Sequence, residues 1–246
     1  MPRTRKATLG ALGATLCATA LVGTAGAAQA QDDNGVAEKS ATGIANTATG
    51  SFNDARSLHV TMSRDGSGLD RHEPARLEVS ADRSDNCVGT VDYAADGGSL
   101  EIIRHADRVW AKPDAAWLRN NLPAGGTGDV RKLEGKYLQG TAQDQGLSDL
   151  ARLCSIDEYR DGLKDAASAG PLEKGGETTV SGVPVVEVTG KHDGKELVLS
   201  VATTGTPYPV RATSTGDGQE HVADFSFDQP VPDKTPAPGE TVPWSG

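Results

Sequence analysis

The sequence is poor in aromatic side chains: three Trp, four Tyr and three Phe make 4 % of 246 residues. A core must then be built mostly from Val, Leu, Ile and Ala. Histidine is scarce as well. His59, His72, His105, His192 and His221 are scattered, with no His-Glu-x-x-His and no Cys-x-x-Cys, so no metal-ligand set is marked. There is no Gly-x-Ser-x-Gly elbow, no P-loop and no Rossmann glycine pattern. Acids are plentiful, but Asp96, Asp193 and Asp217 each precede a glycine, which is turn chemistry. No pair of carboxylates is marked for glycosidase work, and "SADRSDN" is a poor match to a calcium loop. The reading is of a chain without a catalytic set, a cofactor or a metal. A hydrolase reading would need a buried Ser or Asp beside a His.

Positive charge is also in deficit. Lys and Arg total 24 against 34 Asp and Glu, a formal net charge of −10. Like charges repel, which argues against nucleic acid or an anionic membrane surface as partner. Three of the cations, Arg3, Arg5 and Lys6, lie in the first ten residues, ahead of the apolar run "LGALGATLCATALVGTAGAA" and then "AQAQDDNG". A basic start, a short apolar core and an Ala-x-Ala exit predict a signal peptide over residues 1–30, cleaved between Ala30 and Gln31. The alternative, a membrane anchor, fits less well with a run rich in Gly, Ala and Thr and closed by Asp32 and Asp33. Cys17 would be the site of a lipid anchor. A lipobox needs a small residue before the cysteine, and here it is Leu16, with half the apolar core still to come. Anchoring at Cys17 is therefore not expected. Removing the leader takes the net charge from −10 to −13, which suits a freely exported, extracytoplasmic protein.

The mature chain keeps Cys87 and Cys154. In an exported protein an isolated pair reads most simply as one disulfide. The loop it closes is long enough for roughly 4 kcal/mol in the chain-entropy model. The other reading is a catalytic thiol or a metal pair.

Along the chain, Val36, Ser40, Ile44, Thr47 and Phe52 fall at roughly helical spacing and predict a helix over 36–54. Alternating segments follow: "SLHVTMS", "ARLEVSAD", "CVGTVDY", "SLEIIR" and "DRVWAK", five strands between 57 and 112. Their short connections require antiparallel neighbours. Residues 113–168 change period. Leu147, Leu150, Leu153, Ile156, Tyr159 and Leu163 step by threes and fours, and Ser155 with Glu158 has capping-box spacing. This is a helical insert. The last third returns to strands, with Asp193-Gly194, Gly205-Thr206-Pro207 and Asp217-Gly218 as turns of a meander. Five prolines in the last 19 residues predict a loose tail. The expected organisation is a single domain over 31–232 and a Pro-rich flexible tail over 233–246.

A long antiparallel sheet with a helical insert can curl and enclose an apolar space. The candidate lining is Leu58, Val60, Met62, Leu77, Val79, Val91, Trp110, Leu197, Leu199, Val201, Phe225 and Phe227 from strands. Trp117, Leu147, Leu150 and Leu153 would come from helices. The same residues would be plain core in any fold of this kind.

The segments "GVPVVEV", "YPVR" after a Gly-x-Pro turn and "DFSFDQPV" resemble the LolA-like superfamily, in particular its LppX/LprG-type exported lipoproteins of actinobacteria. "YLQG" and the cysteine in "LARLCSIDEY" are similar to uncharacterised members, and the likeness covers about residues 34–232. The resemblance implies an α+β fold: a curved antiparallel sheet, an unclosed half-barrel, wrapping the N-terminal helix and the central insert. It further implies a non-enzymatic cell-envelope protein holding a lipid or acyl chain. The alternative is an envelope interaction or sensor module with a filled core and another protein as partner. A monomer is expected, and the family's lipobox is absent.

Overall fold

A computed structural model of the chain describes residues 32–66, 68–122, 127–168 and 170–244. The leader, the Ala30–Gln31 junction and Cys17 lie outside the described residues.

The N-terminal helix is shorter than its spacing predicts. Val36–Glu38 form one 3-10 turn, and helix α1 runs Ala41–Asp54. The boundary lies at Ser40, whose side chain accepts from the Gly43 N–H and so caps the helix there. Thr47, Thr49 and Ser51 would each weaken the helix, but their hydroxyls donate to the carbonyls four residues back. The buried face is Ala41, Ile44, Ala45, Ala48 and Phe52.

The strands are β1 (Ser57–Gly66), β2 (Pro74–Asp82), β3 (Asn86–Tyr93), β4 (Gly98–His105) and β5 (Arg108–Pro113), the five expected. The insert holds α2 (Ala115–Asn121), α3 (Thr127–Leu133), α4 (Leu147–Leu153) and α5 (Ile156–Ser168). It is not wholly helical, because β6 (Tyr137–Thr141) lies inside it and pairs antiparallel with β5. The closing meander is β7 (Glu173–Val180), β8 (Val183–His192), β9 (Lys195–Ala202), β10 (Pro209–Gly216) and β11 (Gln219–Phe227). At Asp193-Gly194 and Asp217-Gly218 both residues have positive φ, as two-residue hairpin turns require.

The tail corrects a second expectation. Thr241–Pro243 form β12, parallel to β6. Trp244 then anchors the strap: its backbone N–H donates to Gln139 O at 2.7 Å and its indole N–H to Gln145 O at 2.9 Å. Proline forbids a long strand here. It does not forbid three residues pairing at a sheet edge.

The twelve strands of the described residues form one sheet in the order β12-β6-β5-β4-β3-β2-β1-β11-β10-β9-β8-β7. The chain's first strand therefore lies beside β11, and the edges β12 and β7 do not meet. This is the expected unclosed sheet with helices against it. The inward face carries Leu58, Val60, Val79, Val91, Ile102 and Val201, all essentially inaccessible, in one core with the buried face of α1. The Phe52 ring stands edge-on to Phe227 at 4.9 Å and to Phe225 at 6.3 Å. Cys87 on β3 is bonded to Cys154, just after α4, and ties the insert to the sheet. Further along, α4 packs Leu147 and Ala151 on Val109 and Ala111 of β5, with Trp244 against them.

Candidate functional site

Helix α5 lies beside α1 on the same face of the sheet but meets it with smaller side chains. Toward the sheet it offers Tyr159, Gly162, Leu163, Ala166 and Ala167. The strands answer with Val188, Gly190, Leu197, Leu199, Ala212 and Ala223. With alanine and glycine on both sides the two layers do not touch everywhere. A hollow of about 600 Å³ remains, floored by β8–β11, flanked by Met62, Leu77 and Phe225 and roofed by α4 and α5. That size suits a small-molecule site, for which roughly 300–1,000 Å³ is usual.

Two glycines shape it. A Cβ at Gly190 would fall 2.8 Å from Leu172 Cδ2, so the Leu172 side chain lies directly over that glycine. A Cβ at Gly162 would meet nothing within 4 Å: the space beside α5 is open.

The lining is apolar with polar groups at its margins. Arg152 and Glu158 form a two-pronged pair at 3.1 and 3.2 Å on the exposed rim. The Tyr159 hydroxyl donates to Leu153 O at 2.6 Å, and burial pushes its pKa well up, so it stays a neutral donor. His221 and Ser214 face each other across β10 and β11 at the opposite margin. Burial lowers the His221 pKa, and the nearby charges of Arg64 and Lys195 lower it further, which keeps the imidazole neutral. No hydrogen bond joins Ser214 to His221, and His221 Nε2 has no partner. Among the described residues no group of three or more His, Cys, Asp or Glu is placed to hold a metal.

The expected lining residues divide into four sets. Met62, Leu77, Leu199 and Phe225 line the hollow, as do Leu153 and Leu197. Leu58, Val60, Val79, Val91, Val201 and Phe227 share the inward face but are packed in the solid core, and Trp117 and Leu150 pack against that core from α2 and α4. Leu147 belongs to the α4–β5 cluster. Trp110 is on the other face of the sheet, with Ile103 and Tyr137, because the inward residues of β5 are its neighbours Val109 and Ala111.

The residues missed are the small ones, Gly162, Ala166, Ala212 and Ala223, together with Val188, Tyr159 and His221. Their signal was present but faint. Ala212 and Ala223 sit at inward alternation positions, and Gly162 and Ala166 are one helical turn apart on the Tyr159 face.

No family model matches the sequence, and no curated protein matches it. Solved structures do. The lipoprotein LppX of Mycobacterium tuberculosis superimposes with a TM-score of 0.51 at 15 % identity, over 78 % of this chain and 97 % of LppX. LprF from Mycobacterium bovis superimposes with a TM-score of 0.57 at 14 % identity, over 80 % of this chain and 97 % of LprF. At such identities the likeness is one of fold. The chain has the fold that LppX and LprF share.

Proposed function

We propose that this is an exported, non-enzymatic protein of the cell envelope that binds or carries a hydrophobic ligand, a lipid or an acyl chain, between α5 and strands β8–β11. One observation carries the reading: the hollow of about 600 Å³ with an apolar floor and roof. Empty space beside apolar walls forfeits dispersion contacts, and a matching chain restores them. Each buried methylene is worth about 0.8 kcal/mol, so affinity should rise about fourfold per carbon until the chain outgrows the space.

Export is supported by the leader pattern of residues 1–30 and by the Cys87–Cys154 bridge, which forms and persists in oxidising compartments. The competing reading, an interaction module with a filled core, is disfavoured by the same hollow. The proposed ligand is a small hydrophobic molecule carried by a monomer.

The test is extraction. Protein purified in its native state, without detergent, should release acyl lipids into organic solvent, read by mass spectrometry. Protein that yields none and takes up no added acyl lipid would sink the proposal.

A further inference from the structure

One margin of the hollow carries polar groups that the chain itself does not satisfy. Arg64 on β1, His221 on β11 and Ser214 on β10 stand in one row across three adjacent strands, by the register of both pairings. His221 and Ser214 line the hollow, and Arg64, just beyond its lining, shares their face of the sheet, two residues from Met62 and paired with His221. His221 Nε2 and Arg64 Nε are both buried, and neither has a hydrogen-bond partner.

A buried polar nitrogen without a partner costs free energy, and native structures hold few of them. The rest of Arg64 is held in place. Its Nη1 lies 3.3 Å from Glu73 Oε1, and its Nη2 donates to Gln219 Oε1 at 3.3 Å. The guanidinium is thus positioned, with Nε left to give. Lys195 is near enough to act on His221 as a further positive charge. The carboxylate at this margin, Glu73, is already engaged by Arg64. At the rim, by contrast, Arg152 and Glu158 satisfy each other.

We propose that the ligand is an anionic amphiphile: its acyl chain fills the hollow, and its carboxylate or phosphate head accepts hydrogen bonds from Arg64 Nε and His221 Nε2, with the Ser214 hydroxyl beside them. This inference rests on the cavity reading above and names the head group that reading leaves open. Neutral imidazole is the suitable form, because it offers one N–H and takes no second charge into a partly apolar site.

Four probes test it: palmitate, hexadecyl phosphate, monopalmitoylglycerol and inorganic phosphate, titrated against the wild type, Arg64→Met and His221→Phe, which remove the two donors. The wild type should bind one or both anionic amphiphiles at least tenfold more tightly than the neutral glyceride. Each substitution should weaken the anionic probes about tenfold and leave the glyceride unchanged, since a hydrogen bond to a charged group is lost. Unchanged glyceride binding also shows that the variants are folded. Millimolar inorganic phosphate should not displace palmitate. A wild type that binds the glyceride as tightly as palmitate, or variants that lose all amphiphiles alike, would overturn the head-group site and leave the cavity reading standing. Displacement of palmitate by inorganic phosphate would overturn it as well, by showing an anion site independent of the chain. A wild type that binds no amphiphile would remove the cavity reading and this inference together.

Discussion

Helices α1 and α5 lie next to each other on one face of one sheet, yet α1 closes the space beneath it and α5 leaves it open. The difference is side-chain volume. Helix α1 inserts Ile44 and Phe52, and the Phe52 ring reaches two phenylalanines of β11. Helix α5 sets Gly162, Ala166 and Ala167 against Ala212 and Ala223. The disulfide stands on the packed side of the insert, at the junction of α4 and α5. The dense packing surrounds α1, and the hollow lies beneath α5.

The contrast is broken most forcefully by emptying the packed region. Phe52→Ala should cost about 3–5 kcal/mol, because the side chain is wholly buried and its neighbours are fixed to the sheet. Denaturant unfolding measures this directly. Replacing both Cys87 and Cys154 with Ser should cost about 4 kcal/mol by the chain-entropy account, and the loss should vanish when both proteins are compared under reducing conditions. On the hollow side the same kind of truncation should be milder. Leu199→Ala borders existing space and opens little new cavity, so about 2 kcal/mol is expected, the low end for a buried leucine. Equal losses for Phe52→Ala and Leu199→Ala would erase the distinction between the two regions.

The smallest effect concerns pH. The Tyr208 ring stacks on Phe227 at 4.3 Å, and its hydroxyl donates to Asp228 Oδ2 at 2.8 Å. Burial and then this bond push the Tyr208 pKa up to about 12. A raised folded pKa means stability that is whole below the unfolded value, near 10, and lost as pH climbs through 12. Asp228, held low chiefly by the Arg56 backbone N–H and by Tyr208, works in the other direction: its contribution is present above the ordinary aspartate value and fades as pH falls below it. Tyr208→Phe should flatten the alkaline arm of a stability–pH curve and shrink the acid arm. An unchanged alkaline arm would contradict the assignment.

Much of the scaffold was legible because local chemistry dictates it. Asp193-Gly194 and Asp217-Gly218 stand where both turn residues need positive φ, and alternation placed the flanking strands. The Cys87–Cys154 pair followed from scarcity and compartment. Strands β6 and β12 were not legible, since "YLQGT" and "TVP" are too short to show a period and meet across about a hundred residues of chain. Trp110 teaches a different lesson. Alternation in "RVWAKP" separates two faces without saying which is inward, and the largest side chain faces away from the cavity. The hollow was least legible of all. Its volume is a sum over α4, α5 and six strands brought together only by the fold, and its decisive residues, Gly162, Ala212 and Ala223, are small ones that carry little hydrophobic signal. The row of Arg64, His221 and Ser214 has the same character, because register and not spacing in sequence unites it.

The most direct test fills the hollow from both sides. Gly162→Phe enters from the roof, where a Cβ meets nothing within 4 Å, and Ala212→Phe enters from the floor. Binding of a fluorescent fatty-acid probe should be strong in the wild type and at least tenfold weaker in each variant, with the unfolding midpoint of Gly162→Phe unchanged or raised. Undiminished probe binding by both folded variants would contradict the claim that the space beneath α5 is where the ligand goes.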